Sequence, residues 1–331
     1  MIDKIRFIIS TNTNPYKNLA LEEYLLKTVE DNECIMYLWQ NEKTVVIGKN
    51  QNPWKECKIA DLEADGGSLV RRLSGGGAVF HDLGNLNFTF LATKDNYNVE
   101  RQLQVILEAV KLRGIPAEKT GRNDISVEGK KFSGNAFFSD GVHCYHHGTI
   151  LVNVDMSKLS LYLNVSRDKL SSKGVESVRS RVTNLTEYNP TLSIEIMKME
   201  LMEAFEAVYG ITPEPLILEE SNLSVLDELE TKFASQDWIF GKKLEFNYSM
   251  DSRFAWGDID IKLVIQAGMI KDCSVYSDAL EIDLFDLIAN TLTGGRFASI
   301  DMCQSLGQLS LTEKQREMMV DVIELVRKEN I

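Results

Sequence analysis

The sequence predicts an α+β protein of two domains, a large one over residues 1–245 and a small α+β one over residues 246–331. Three observations carry that expectation. Short β-rich runs and amphipathic helical stretches follow one another without the regular alternation of a doubly wound fold. From about Lys242 the texture shifts to a crowd of short strand-like runs followed by helical ones, which sets a boundary near residues 241–250. With 331 residues, 44% of them apolar, the chain can bury one large core and a second smaller one.

Taken in order, "KIRFIIS" reads as a strand. Asn14 and Pro15 supply an N-cap and a first helical position for "YKNLALEEYLLKTVE", with apolar Leu21, Tyr24, Leu25 and Val29. "CIMYLW" and "TVVIG" are short strands. "SLVRRLS" and "LNFTFLA" are two more, flanking a glycine run. "VERQLQVILEAVKLRG" is a helix closed by Gly114. "DISVEGKKFSGNAFF" has the form of a hairpin about a Glu-Gly turn, and "HHGTILVNVD" is a further strand. Residues 166–181 lack a sustained apolar period and are locally basic, so a mobile loop is expected there. "SIEIMKMELMEAFEAVYG" is an amphipathic helix. In the C-terminal part, "EIDLFDLIANTLTGG" and "TEKQREMMVDVIELVRKEN" are helices after the strand-like runs.

Charge narrows the possible functions. Against 36 Lys+Arg stand 49 Asp+Glu, a formal net charge of −13. Such a surface disfavours non-specific contact with nucleic acid or anionic membrane, so an anionic ligand must meet a local cationic site. No run approaches the roughly 20 apolar residues of a membrane span, and the start of the chain lacks the form of a signal peptide. Five scattered cysteines without a CxxC fit free thiols in a reducing cytoplasm.

The run "RRLSGGGAVFHDLG" has the chemistry to hold an anion. Its glycines let successive backbone N–H groups converge, and an arginine fork suits phosphate or carboxylate oxygens. In a strand, Arg71 and Arg72 face opposite sides, so only one of them reaches the ligand. The run is neither a Walker A nor a Rossmann turn. Taken alone, it is as well explained by a flexible connection with solvated arginines. A second constellation, "TGRNDISVEGKKFSGNAFF", brings Asn123 and Asp124 into a turn, then Lys130, Lys131, Ser133 and Gly134. Asp124 suits Mg²⁺, which takes one or two carboxylates plus phosphate oxygens. A strand lysine next to the glycine run would stabilise charge developing in phosphoryl chemistry. Each feature has a plain alternative as a turn or a surface lysine pair.

Together with "NPYKNLALEEYLL", "TVVIGKNQNPWKEC", "HHGTILVNVD" and "SVRSRVTNLTE", these stretches resemble the lipoate–protein ligase A family across nearly the whole large domain. The resemblance implies a biotin/lipoate ligase-like large domain, with mixed sheets and flanking helices, plus that family's C-terminal accessory domain. It implies an enzyme that converts lipoate and MgATP to lipoyl-AMP and pyrophosphate, with no tightly bound prosthetic group. The lipoyl group then passes to a lysine of a lipoyl domain, on E2 subunits of 2-oxoacid dehydrogenases or on the glycine cleavage H protein. By the same resemblance Lys131 is the catalytic cation, bridging the lipoate carboxylate and the α-phosphate. Arg72, Gly75, Gly76, Gly77, Ala78, Val79, Phe80, Asn123 and Asp124 fall on nucleotide-binding positions, with Asp124 also the Mg²⁺ candidate. Arg72, Ser74, Lys131, His147 and Gly148 fall on lipoate-binding positions. Ser177, Val178, Arg179 and Arg181 belong to a loop that closes over the adenylate.

Rival readings differ in their chemistry. Octanoyl transferases of related fold use a cysteine nucleophile without ATP. Cys144 beside His143 and His146 would be that nucleophile if its thiolate were stabilised, but it is expected in a turn. A zinc site around His143, Cys144, His146 and His147 lacks a second ligand cluster, and adjacent His146 and His147 point to opposite faces. A covalently adenylylated lysine would need Lys-x-Asp-Gly, and here Lys131 opens Lys-Phe-Ser-Gly. A binding-only relative is the remaining alternative. Trp39, Trp54, Trp238 and the methionines from Met197 to Met202 are assigned to core packing.

Overall fold

The computed structural model describes residues 1–121, 124–164, 181–241 and 243–331. They form two compact units. The first comprises Met1–Val46, Glu56–Arg71 and Val79–Ile239; the second comprises Ile47–Lys55, Arg72–Ala78 and Phe240–Ile331. The C-terminal unit therefore includes two short N-terminal segments, one of which carries Arg72 and the glycines.

In the first unit the strands are β1 (Lys4–Ile9), β2 (Glu33–Trp39), β3 (Thr44–Ile47), β4 (Ser68–Arg71), β5 (Val79–His81), β6 (Asn85–Thr93), β7 (Ala117–Thr120), β8 (Asp124–Val127), β9 (Lys130–Ser139), β10 (His143–Leu151) and β11 (Glu214–Pro215). Eight of them make one mixed sheet in the order β11-β1-β2-β6-β10-β9-β8-β7, and β4-β3-β5 make a small second sheet. β1 runs parallel to β2 and β11. The β8–β9 turn is Glu128-Gly129, both at positive φ, as a tight hairpin demands.

Alternation along the central strands gives the large sheet two unlike faces. On one, Cys34, Met36, Leu38, Leu86, Phe88, Phe90 and Ile150 pack with residues of the helices Val99–Lys111 and Ile194–Tyr209. Burying a side chain such as Phe88 or Phe205 contributes on the order of 1.5–3 kcal/mol. His146 lies on this apolar face among Phe88, Phe90 and Phe137. Its Nε2 is 2.7 Å from Asn135 Oδ1, and its Nδ1 is 3.2 Å from Gln102 Oε1.

The opposite face meets the helix Pro15–Thr28, whose cap is as expected: the Asn14 side chain accepts from the Tyr16 and Lys17 N–H groups. The buried stripe of that helix is different from the expected one. It runs through Asn18, Leu19, Glu22, Leu25 and Leu26, while Leu21 and Tyr24 are half-buried. Three polar side chains of this helix are therefore buried: Asn18 and Glu22, and Glu23, which pairs with Lys27 and Lys232.

The second unit holds the antiparallel meander β12 (Tyr248–Phe254), β13 (Gly257–Gln266) and β14 (Met269–Tyr276). Ile259, Ile261 and Leu263 on one side of β13 pack against the helices Asp283–Leu292, Ser299–Gly307 and Glu313–Glu329, through Leu284, Phe285, Met302, Met318 and Val322. The helices Leu223–Ala234 and Ser299–Gly307 were not among the sequence expectations. Of the tryptophans assigned to core, Trp39 is buried. Trp54 is instead 43% exposed, its ring 5.5 Å from that of Phe240. Among the described residues no helix is long and apolar enough to cross a membrane.

Burial pushes the His146 imidazole down from its ordinary 6.5 to about 3, so it is neutral in the fold. Below pH 6.5 the unfolded chain therefore takes up a proton that the folded chain refuses. Stability should fall as pH drops from about 6.5 toward 3, by up to about 1.4 kcal/mol per pH unit from this group. Urea unfolding at stepped pH should show that slope, and the slope should flatten in His146→Gln. Equal slopes in both proteins would contradict the assignment.

Candidate active site

The polar face of the large sheet carries one group of the expected site residues. Asp124 and Ser126 share one side of β8, with Ile125 and Val127 buried in the apolar core behind. Asp124 pairs with Gly134 and Ile125 with Ser133, after which the register slips and Ser126 pairs with Lys131. Phe132 is the extra residue of this bulge, fully buried on the apolar side. Strict alternation would send residues 131 and 134 to opposite faces. The bulge brings both to the polar face, and the Lys131 ammonium reaches Asp124 Oδ1 at 2.7 Å. The Lys131 backbone is fixed on its other edge: its N–H donates to the Arg181 carbonyl at 2.8 Å, and its carbonyl accepts from Thr183 N–H at 2.9 Å.

Further along the same face, Gly134 N–H donates to Thr149 Oγ1 at 3.2 Å. His147 lies on β10 opposite Thr89 of β6. Its Nδ1 is 2.9 Å from Glu22 Oε1, which also accepts from Thr89 Oγ1 at 2.7 Å, and Thr89 in turn accepts from Trp39 Nε1 at 3.1 Å. Glu22 is 1% exposed, so these contacts supply the partners that a buried carboxylate requires. Beyond His147 the face turns apolar through Tyr145, Phe138, Leu91 and Ile35, which stand in register. Gly148 keeps the strands close: a Cβ there would sit 2.6 Å from the Phe88 ring and 2.7 Å from the Gly134 carbonyl. His147 and His146 do point to opposite faces.

The glycine segment belongs to the second unit. Arg72 Nε donates to Ser74 Oγ at 3.0 Å, and its Nη2 donates to the Gly75 and Gly77 carbonyls at 2.7 and 2.9 Å. The guanidinium therefore ties the turn into a loop. Gly76, at φ +92°, donates its N–H to the Ala279 carbonyl at 2.9 Å. Ser74, Gly75 and Gly76 are buried, Gly77 is exposed and Ala78 is half-buried. In the first unit, Arg71 donates to the Trp238 and Ile239 carbonyls instead, so the two arginines do separate tasks. Val79 opens β5, and the Phe80 ring is buried 5.2 Å from that of Tyr162, which leaves Phe80 only its backbone to offer a ligand.

Asn123, Ser177, Val178 and Arg179 lie outside the described residues. Arg181 is exposed. Cys144 is corrected from a turn to β10, where it is buried and its thiol donates to Ser139 Oγ at 3.2 Å. Burial pushes that thiol up, which is the wrong direction for a nucleophile. Among the described residues no three His, Cys, Asp or Glu side chains gather as a metal site. Sequence reasoning missed Glu22, Thr89 and Thr149. The available signal for Glu22 was a carboxylate at helical spacing from Leu19, Leu25 and Leu26.

The first unit thus offers a polar sheet face that passes from an ammonium to an aromatic end, and the second a glycine turn tied by an arginine. The family model of the lipoyl protein ligase A/B catalytic domain matches residues 14–206, and that of the bacterial lipoate protein ligase C-terminus matches residues 243–325. A lipoate–protein ligase A of Psychrobacter cryohalolentis is 41% identical over 326 residues, spanning 96% of each chain. The chain belongs to the lipoate–protein ligase A family of enzymes. Among solved structures, Plasmodium falciparum LipL1 in complex with lipoate superposes with a TM-score of 0.84 at 31% identity, over 97% of this chain and 99% of that one. The bipartite lipoate protein ligase of Thermoplasma acidophilum, studied with its E2 lipoyl domain, gives 0.66 at 25% identity over 75% of this chain and 100% of that one.

The glycines should differ in what they tolerate. At Gly75 an added methyl runs into the carbonyl oxygens of Ala279 and Leu280, the latter 2.8 Å away, whereas nothing lies within 4 Å at Gly77. Gly75→Ala should lower stability by about 1–3 kcal/mol and Gly77→Ala by less than about 0.5 kcal/mol, read from urea unfolding of the two variants. Equal losses would mean that the Gly75 backbone is not packed as described.

Proposed function

We propose that this chain activates lipoate with MgATP to lipoyl-AMP and then passes the lipoyl group to a lysine of a lipoyl domain, working in the cytoplasm. In the first step a carboxylate oxygen attacks the α-phosphorus while the bond to the pyrophosphate oxygen breaks. In the second, the acceptor amine attacks the acyl carbon, the bond to the AMP oxygen breaks, and the amine loses a proton. The first step presses two anions together, so its barrier falls only where a cation stands at the developing charge.

The observation that carries this reading is the Lys131 ammonium, aimed by the bulge onto the polar face and a third exposed. We assign it to the carboxylate and the α-phosphate. The apolar end at Tyr145, Phe138 and Leu91 suits the lipoyl tail, with His147 and Gly148 along its course. Arg72, Ser74, the amides of Gly75 and Gly77, and the backbone of Ala78, Val79 and Phe80 are assigned to the anionic ligand, chiefly the nucleotide; the Gly76 N–H, expected among these donors, is instead taken by the Ala279 carbonyl, so Gly76 serves the turn. Asp124 offers one carboxylate, about a third exposed, and one carboxylate with phosphate oxygens and water is a fitting set for Mg²⁺. That ion, arriving with ATP, would neutralise phosphate charge. Arg181 and the loop before it are assigned to covering the adenylate, since an exposed acyl adenylate hydrolyses. The acceptors we propose are E2 lipoyl domains and the glycine cleavage H protein.

Mass spectrometry of an E2 lipoyl domain incubated with the chain, lipoate and MgATP should show one added lipoyl group, lost when any reagent is omitted. Lys131→Ala should keep the fold and lose at least about 100-fold in lipoyl-AMP formation. Cys144→Ser should stay within about twofold of the parent. Transfer from an acylated carrier without ATP, abolished by Cys144→Ser, would replace this reading with the cysteine transferase.

A further inference from the structure

We propose that Gly134 is a positioning residue for Lys131: its missing side chain is the space in which the lysine's end lies. Glycine at 134 is not there for backbone freedom, because its φ is outside the left-handed region that would exclude alanine. What a Cβ would meet is specific. The nearest atoms are Lys131 Nζ at 2.8 Å and Lys131 Cε at 2.9 Å; the next, Thr149 Oγ1, is at 3.9 Å. No backbone atom is among them, so the fold survives an alanine while the ammonium must move.

The arrangement follows from the bulge. With Phe132 inserted, residues 131 and 134 face the same way, and Gly134 pairs directly with Asp124 across the hairpin. The lysine stem therefore crosses the surface of Gly134 to reach the Asp124 carboxylate. Its backbone cannot shift to compensate, since hydrogen bonds to Arg181 and Thr183 pin it. Only the end of the side chain is free to give way, so a methyl at 134 lifts the ammonium off the sheet.

This inference rests on the role of Lys131 in the reading above, and a double-mutant cycle separates the two. The probe is lipoyl sulfamoyl adenosine, a non-hydrolysable analogue of the adenylate, titrated calorimetrically into the full chain. Lys131→Ala should bind it at least about tenfold more weakly than the parent. Gly134→Ala, with an unchanged circular dichroism spectrum, should lose a comparable factor. The double variant should bind within about twofold of Lys131→Ala, because the methyl then has no ammonium to displace. Parent-like binding by Gly134→Ala would overturn the proposal, as would an undiminished loss in the Lys131→Ala background, which a merely structural role predicts. Parent-like binding by Lys131→Ala would overturn the reading of Lys131 itself. If Gly134→Ala melts too low to titrate, the cycle is read in thermal midpoints. The drop should vanish beside Lys131→Ala; a drop that persists there would refute the steric link.

Discussion

A carboxylate approaching a phosphate meets a repulsion that grows until the new bond forms, and the chain as a whole worsens the problem with a net charge of −13. The account therefore depends on one local cation held at a defined place. Lys131 is that cation in our reading. Its ammonium is held in place: the bulge aims it, Asp124 holds it at 2.7 Å, and the N–H and carbonyl of the residue are both bonded. Preorganisation of this kind lowers a barrier because the charge need not be gathered during the reaction.

The rest of the first unit can be understood as support for that face. One side of the eight-stranded sheet is sealed by aromatic and aliphatic side chains beneath two helices, which makes it a rigid base. The other is polar near Lys131 and apolar near Tyr145, with the Glu22–His147–Thr89 cluster between. The helix Pro15–Thr28 is bent to this purpose in its composition, since it presents Asn18 and Glu22 where a purely structural helix would present leucines. In the second unit, Arg72 does for the glycine turn what the bulge does for Lys131, fixing by three carbonyl and hydroxyl contacts a backbone that glycines alone would leave loose.

Much of this was legible in the sequence. The cap at Asn14, the Glu-Gly turn, the strand holding His146 and His147 on opposite faces, and the division of labour between Arg71 and Arg72 follow from local rules of period and capping. The glycine run and Lys131 suggest anion chemistry by residue type, an expectation that the proposed function takes up. What was not legible depends on tertiary register. A single inserted residue, Phe132, reverses the face of Lys131, and no one-dimensional period reveals it. The expected apolar stripe of the first helix held at Leu25 and Val29 but not at Leu21 and Tyr24, which are half-buried, while Asn18 and Glu22 are buried where tertiary partners meet them. The expected turn at Cys144 is a strand, because cross-strand pairing with Ala92 and Ser139 extends β10 to include it. Trp54 was assigned inward by hydrophobicity alone.

The central claim is tested most directly by a crystal structure of the chain with lipoyl adenylate bound. The account predicts that the Lys131 ammonium leaves or shares Asp124 and stands within hydrogen-bonding distance, about 2.7–3.2 Å, of an oxygen of the acyl phosphate group. An adenylate bound in full, with that ammonium still paired only to Asp124 and no cation of the first unit on the phosphate, would contradict it.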